Sequence, residues 1–493
     1  MPDSLPALLA QRAQEMPHLT ALRYHNGSLW QSVCYRDYYH FSQSVAGALI
    51  RRGVRPGDRI GLLSENCWEW LPIDLGIQAA GAITVPLHVA SPTAEIRALL
   101  KQVDARHVIA SPTQAMKLAE SLDFGIFHEP AEAESLHRLT ALGRDDVATI
   151  LFTSGTTGEP QGVMLTHGNL LSNAESAQAV LPWGTDSVML NFLPFSHIYA
   201  RTADGYQALV AGATLALASS PDAVPAQLGE VHPHFVRGVP RFYEKMVALA
   251  GSSSSALARA FGERIRWLFV GGAGLPLQIA ERYCDAGLTL LQGYGLTETS
   301  PTITVNRPDR FRLGTVGVPL PGYEVRIADD GEILSRGPHI MRGYWNNPSA
   351  TTDAIRDGWF ATGDLGYIDD EGFLTIIGRK KEMIVLSTGR KIVPFRVESR
   401  LQAEPAIEYA VLVGEGRPYL TVLIQPRAGI PSPDWQSCIA HATADLAEWE
   451  RPVRWMMLSS PFRIDQGELT VSLKVRREVV LANYRAAIDT MYD

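Results

Sequence analysis

Apolar positions between residues 36 and 110 change their period several times. Spacings of three and four from Tyr38 to Arg52 predict a helix, Arg55-Pro-Gly-Asp58 a turn, Arg59 to Leu63 a buried strand and Trp70 to Ala80 a second helix. The short apolar run Ile83 to Leu87 repeats the strand signal. Such alternation predicts βαβ units, whose parallel strands are covered on both faces and so read as unbroken apolar runs. Val188 to Leu193, Thr214 to Ala218, Phe235 to Val239 and Arg266 to Gly271 carry the same signature. After Pro319 the period falls to two: Tyr323 to Leu334 and Gly366 to Ile377 alternate about Asp/Gly turns, predicting hairpins of a small sheet or barrel. The charged run Gly378-Arg-Lys-Lys-Glu382 interrupts that pattern. The expected architecture is α/β: a large domain of doubly wound sheets with a β-barrel-like subdomain, residues 1–379, then a small α+β domain, residues 380–493.

Composition narrows the class without changing this picture. With 493 residues, 46% hydrophobic and 19% charged, the chain is an ordinary globular one with room for roughly three domain-sized units. A net charge of -8 argues against nucleic acid as the main partner, because neutralising phosphates needs a basic face. Cys34, Cys67, Cys284 and Cys438 lie far apart, with neither CxxC pairs nor His at zinc spacing, and read as reduced thiols. The start, Met-Pro-Asp-Ser-Leu-Pro, lacks a basic segment followed by an apolar one. The longest apolar run, about Ala208 to Ala218, falls short of the roughly 20 residues that span a bilayer. The expected setting is the cytoplasm, with no transmembrane segment and with peripheral membrane contact left open.

Three segments carry the candidate chemistry. In Ile150-Leu-Phe-Thr-Ser-Gly-Thr-Thr-Gly-Glu-Pro-Gln-Gly162 an apolar run empties into hydroxyls and glycines. Gly155, Gly158 and Gly162 would let a phosphate approach backbone N–H groups, and Thr153, Ser154, Thr156 and Thr157 add hydroxyls at the same depth. A Walker loop would end in Gly-Lys-Ser/Thr, which this one does not. In Leu291-Gln-Gly-Tyr-Gly-Leu-Thr-Glu298, Tyr294 between Gly293 and Gly295 can stack on a flat base, and Glu298, beside Thr297, can hold a divalent cation that a polyphosphate brings. Taken singly, Tyr294 reads equally as a packing aromatic and Glu298 as a helix-start carboxylate. In the third segment Asp364, at the end of Thr362-Gly-Asp364, can accept two ribose hydroxyls, with Arg379 donating to the same sugar.

Thr153-Ser-Gly-Thr-Thr-Gly-Glu-Pro-Gln-Gly-Val163, Gly293-Tyr-Gly-Leu-Thr-Glu298, Thr362-Gly-Asp364 and Gly378-Arg-Lys-Lys-Glu382, in this order, resemble the core signatures of the adenylate-forming acyl/aryl-CoA synthetase superfamily, over nearly the whole chain. The resemblance implies that a carboxylate attacks the α-phosphate of ATP with Mg2+ present, pyrophosphate leaves, and the thiol of coenzyme A takes the acyl group from the adenylate. The residue chemistry agrees: the attacking carboxylate is already ionised, so the site must neutralise charge and align reactants rather than supply a base. By the same resemblance Thr153 joins Glu298 at the metal, Lys474 in Leu469-Thr-Val-Ser-Leu-Lys474 reaches the α-phosphate, and Lys381 is the hinge of a mobile C-terminal domain. Relatives usually carry lysine where this chain has Gln161, so a positive charge beside the departing pyrophosphate is missing.

Leu193-Pro-Phe-Ser-His-Ile-Tyr-Ala-Arg201, Val239-Pro-Arg-Phe-Tyr-Glu-Lys245 and Thr388-Gly-Arg-Lys-Ile-Val-Pro394 with Glu398 look like the long-chain fatty acid branch. His197 would then stand near the carboxylate end of the acyl site, although a lone His is often a satisfied core residue. Gly271, Gly272 and Ala273 would give a wall with little side chain against which the acyl chain, or an adenine, could lie. The expected substrate is a medium- to long-chain fatty acid. Two alternatives stay open: transfer to an acyl carrier protein, for which Arg390, Lys391, Arg476 and Arg477 would suit an acidic partner, and a nucleotide-binding scaffold that has lost catalysis. His441 and Asp445 have the His-x-x-x-Asp spacing of acyltransferases, but on an amphipathic helix they predict surface ion pairing.

Overall fold

The computed structural model describes residues 2–118, 120–131, 133–154, 160–463, 465–469 and 475–493. The chain forms two compact units, one of Met1–Arg326, Leu334–Thr362 and Asp370–Leu374, the other of Ile327–Ile333, Gly363–Asp369 and Thr375–Asp493.

The first unit is built on two large sheets. The nine-stranded sheet runs in the order Val318–Pro319, Thr302–Val305, Leu290–Gly295, Trp267–Val270, Phe235–Gly238, Val188–Asn191, Thr214–Leu217, Thr20–His25, Trp30–Cys34. Its six neighbours from Leu290–Gly295 to Thr20–His25 are parallel, and antiparallel strands close both edges. Side chains alternate between faces along a strand, so Met189, Leu215, Phe235 and Phe269 enter one core while Leu190, Ala216, Val236 and Leu268 enter another. The first core takes Leu8, Val45 and Ile73 from the helices Leu5–Glu15, Tyr35–Arg51 and Trp70–Ala79. The second takes Met246, Phe261 and Tyr283 from Pro240–Ala250, Ser254–Phe261 and Leu277–Asp285. Helices on both faces make this the doubly wound α/β architecture read from the sequence.

The second sheet runs Gly343–Tyr344, Pro160–Thr166, Val147–Ser154, Ile83–Leu87, Arg59–Leu63, His107–Ala110. It is parallel from Val147–Ser154 onward. One feature differs from the sequence reading. Pro160–Thr166 is a strand returning antiparallel to Val147–Ser154, so Gln161 and Gly162 belong to a hairpin arm rather than to a loop. Pro160 and Gly162 are poor strand formers, but cross-strand pairing decides strand formation more than intrinsic preference does.

A five-stranded sheet contains Glu324–Ile327, Glu332–Arg336, Ile355–Arg356, Trp359–Ile368 and Leu374–Arg379, and the chain passes between the two units along it. The rest of the second unit is α+β. Ile407–Val413 pairs antiparallel with Thr421–Pro426, which pairs parallel with Arg454–Met457. Ala410, Leu412 and Val422 face a core with the helix Pro394–Gln402, while Val411, Val413 and Leu423 face one with Val480 and Ile488. Among the described residues no helix is long and apolar enough to cross a membrane.

Candidate active site

In open α/β sheets, ligand-binding loops lie beyond the carboxyl ends of parallel strands. The predicted residues of the first unit follow that rule. Gly293, Tyr294 and Gly295 end the strand Leu290–Gly295, Gly271 to Ala273 follow Trp267–Val270, and His197 lies past Val188–Asn191. The three strands belong to one parallel set, so the three loops leave the same edge of the sheet.

Backbone crowding fixes the loop that carries Glu298. A Cβ on Gly295 would lie 1.7 Å from the Pro301 carbonyl oxygen, a position only glycine tolerates. Thr297–Thr299 then forms one tight turn, closed by the Leu296 N–H donating to Thr299 Oγ1 at 2.9 Å. Ser300, at φ 70°, donates its hydroxyl to His339 O at 2.8 Å. Glu298 is thereby half-buried, its carbonyl accepting from Met341 N at 2.8 Å and its Oε1 from Tyr344 Oη at 3.2 Å. Burial and the Glu298 carboxylate both push the Tyr344 phenol above its ordinary range, so it stays a donor. Tyr344 sits opposite Val163 on the edge strand beside Pro160–Thr166. One tyrosine therefore ties the Glu298 loop to the arm of the Thr/Gly hairpin.

In that hairpin Thr153 faces Gln161 and Ser154 faces Pro160. Gly155, Thr156, Thr157 and Gly158 lie outside the described residues. Gly162 is set apart from them by its packing: a Cβ there would meet Ile150 Cγ2 at 2.9 Å and Trp345 Cβ at 3.2 Å, so its role is strand packing rather than phosphate approach. Tyr294 is buried and Thr297 half-buried.

His197 is exposed at the start of the short helix Ile198–Ala200, its ring edge-on to His88 with centroids 5.3 Å apart, which removes the reading as a core residue. Burial pushes the His88 imidazole down, and Lys117 adds to that. Gly271 is buried, and its missing Cβ would lie 2.9 Å from both Cζ and Oη of Tyr199, whereas Gly272 and Ala273 are exposed. Sequence reasoning did not single out Tyr344, His88 or Tyr199. Tyr199 lay two residues beyond His197 in a quoted segment, and the other two had no local signal.

In the second unit Asp364 and Arg379 meet, Arg379 Nε lying 3.0 Å from Asp364 Oδ1. The carboxylate is 7% exposed and the arginine 55%. Gly378, at φ 155°, brings the chain close to Val393, whose Cγ1 lies 2.2 Å from where a Cβ would be. Lys380 binds Asp330 at 2.5 Å and Glu332 at 2.8 Å, and those two carboxylates raise its pKa. Glu332 also accepts from Gly363 N at 2.8 Å, so the middle of the strand Trp359–Ile368, just before Asp364, and the residue after Arg379 share one carboxylate. Lys381, the predicted hinge, is exposed in the same turn.

Lys474 lies outside the described residues. Its flanks are tied: Leu469 and Val475 form a bridge, buried Glu468 accepts from Arg463 N at 3.0 Å and Asn483 Nδ2 at 3.2 Å, and Arg477 pairs with Glu398. Arg477 also donates to Leu412 O at 2.7 Å, which turns it inward and removes it from the basic set proposed for an acidic partner. His441 Nδ1 lies 2.9 Å from Glu404 Oε1 and Asp445 pairs with Arg400 at 2.7 Å, so at the surface each takes a partner of its own.

No three His, Cys, Asp or Glu side chains gather into a metal-holding group among the described residues. The half-buried Glu298 carboxylate alone fits Mg2+, which keeps several waters and takes the rest of its ligands from phosphate oxygens.

Comparisons with known proteins agree along the chain. A family model described as AMP-binding enzyme matches residues 9–345, and one described as AMP-binding enzyme C-terminal domain matches residues 381–493. A long-chain-fatty-acid–CoA ligase of Mycobacterium bovis is 30% identical over all of this chain and 97% of its own length. A feruloyl-CoA synthase of an Amycolatopsis species is 34% identical over 82% of this chain and 84% of its own. O-succinylbenzoate coenzyme A synthetase from Bacillus subtilis, solved in complex with ATP and magnesium ion, shares the fold with a TM-score of 0.83 and 26% identity, over 96% of this chain and 98% of that one. The chain belongs to the AMP-binding enzyme family.

Proposed function

We propose that this protein is an AMP-forming acid–thiol ligase that joins a medium- to long-chain fatty acid to coenzyme A in the cytoplasm. The likeness to the long-chain-fatty-acid–CoA ligase along both chains' full length carries this reading. In the first step a carboxylate oxygen of the acid bonds to the α-phosphorus of ATP while the bond to the β-phosphate bridge breaks and pyrophosphate leaves. In the second the coenzyme A sulfur attacks the acyl carbonyl, the thiol proton goes to solvent and AMP departs.

Thr153, Ser154, Gly155, Thr156, Thr157 and Gly158 grip the phosphates through N–H and hydroxyl donors. Glu298 and Thr153 would hold Mg2+, which neutralises polyphosphate charge. Tyr294, flanked by Gly293 and Gly295, stacks on the adenine, with Thr297 beside it. Asp364 accepts the ribose hydroxyls and Arg379, held on it, donates to the same sugar. Lys474 reaches the α-phosphate and the attacking carboxylate. His197 with Gly271, Gly272 and Ala273 receives the acid. Lys381 is the hinge of a mobile domain, residues 380–493, between the half-reactions; its exposure beside the anchored Lys380 supports that assignment.

Pyrophosphate exchange into ATP, measured over fatty acids from short to long and over hydroxycinnamic acids, tests the acid. Mass spectrometry with coenzyme A and acyl carrier protein side by side tests the acceptor. Exchange with fatty acids and an acyl-CoA product are expected. Exchange with hydroxycinnamates alone would overturn the fatty acid, and ATP binding without exchange on any acid would overturn the enzyme.

A further inference from the structure

The loops that carry His197 and Gly271 are joined by buried side chains that phosphate and adenine chemistry does not use. Arg237 stands on the strand Phe235–Gly238, which lies between the two strands those loops leave. Its guanidinium is buried, donates to Ala203 O and pairs with Asp204. It also lies 4.6 Å from the Phe269 ring centre and 5.7 Å from that of Tyr199. Asp204, fully buried within the π-helical turn Arg201–Tyr206, accepts in addition from Asn191 Nδ2 at 2.8 Å.

From Asn191 the network continues to the loop backbone. Asn191 Oδ1 accepts from Asn66 Nδ2 at 3.0 Å, and the other hydrogen of that amide goes to Leu193 O at 2.6 Å. Asn66 Oδ1 accepts from Phe195 N at 2.9 Å. The segment 193–199 is thus held at its start through Asn66 and near its end through Tyr199. Tyr199 in turn presses on Gly271 where a Cβ would be, 2.9 Å away. The neighbouring Arg201–Asp74 pair lacks this reach, its partners Tyr206, Thr149 and Gln78 all lying in the core.

We infer that the Arg237–Asp204 pair is a positioning unit for acid selection: it holds Tyr199 on Gly271 and so fixes the separation of the two loops between which the acid is received. This rests on the acid-site reading above. A buried ion pair is weak evidence for stability, since a hydrophobic pair of similar volume often replaces it without loss. Its removal as a pair therefore separates positioning from folding.

The test compares the full-length protein with the double variant Arg237→Met/Asp204→Leu, using pyrophosphate exchange over the same ladder of acids. The expected result is an acid KM raised about tenfold and a changed preference along the ladder, with the KM for ATP within about twofold of the parent. A folded variant with unchanged acid KM and preference overturns the inference, as does an equal rise in both KM values. Should the double variant not fold, Arg237→Lys and Tyr199→Leu decide: the first keeps a charge beside Asp204 but loses the planar guanidinium that lies over the Tyr199 ring, the second removes the ring itself. Both should raise the acid KM with the KM for ATP within about twofold of the parent; an unchanged acid KM in either overturns the proposal. A parent protein that exchanges with no acid overturns the acid-site reading itself, an outcome distinct from unchanged preference in an active enzyme.

Discussion

Arg201–Asp74 and Arg379–Asp364 pair the same two residue types to opposite ends. In the first, both side chains are 0% exposed: Arg201 Nε reaches Asp74 at 3.0 Å, its Nη1 donates to Thr149 Oγ1 at 2.8 Å, Tyr206 Oη donates to Asp74 at 2.6 Å, and Trp70 lies under the guanidinium at 5.3 Å. In the second the carboxylate is sealed at 7% exposure but the arginine is 55% exposed. A pair closed on all sides can only serve the fold. A pair with one open partner can keep its geometry and still meet a ligand, and that difference separates a structural ion pair from a candidate binding one.

The comparison breaks most sharply at Arg201. Arg201→Met leaves a buried carboxylate unpaired and should cost about 3–5 kcal/mol in denaturant unfolding, most of it recovered in Arg201→Met/Asp74→Leu. A cost as small as that of a surface pair would show that the core is not sealed. Next comes His167, fully buried near this pair, where burial holds the imidazole down to about 4. The unfolded chain, at the ordinary 6.5, takes up the proton first, so this contribution is complete above 6.5 and is drawn down as pH falls from there toward 4, by about 3 kcal/mol in all. His167→Gln should flatten the acid limb of a stability–pH curve; an unchanged limb would assign it to other groups.

Arg379→Leu should behave in the opposite sense to Arg201→Met. Stability should fall by less than about 1 kcal/mol, while kcat/KM for ATP in exchange falls about a hundredfold. A large loss of stability with ATP use intact would make this pair structural too. The smallest effect is expected for Gln161→Lys, a severalfold lower KM for ATP, because it adds one charge on a hairpin arm already placed opposite Thr153.

Much of this was legible in the sequence, for definite reasons. Parallel strands buried on both faces announce themselves as apolar runs, and Val188–Asn191, Thr214–Leu217, Phe235–Gly238 and Trp267–Val270 appear within two residues of the expected bounds. The hairpin arm Pro160–Thr166 was hidden because Pro160 and Gly162 read as loop residues, and only pairing with Val147–Ser154 makes them a strand. Asp364 and Arg379 were read together, as two groups on one sugar, yet their direct contact depends on the chain folding back. Glu298 was found without its donor Tyr344, 46 residues away, since no periodicity encodes that distance. Which lysine of Lys380-Lys381 is tied down is likewise decided by Asp330 and Glu332, some 50 positions earlier.

The way the chain threads between its two units bears on how it can be dissected. Each unit is made of three segments, so the backbone passes from one to the other five times. A recombinant fragment beginning at residue 380 would leave behind Ile327–Ile333 and Gly363–Asp369, and with them Asp330 and Glu332, the partners of Lys380. The complementary fragment would keep Asp364 and Arg379 but detach both from the remainder of their own unit. A fusion or split-protein scheme that cuts at residue 380 would therefore part Lys380 from both of its carboxylates, and a swap between relatives should carry those two short excursions along with the tail.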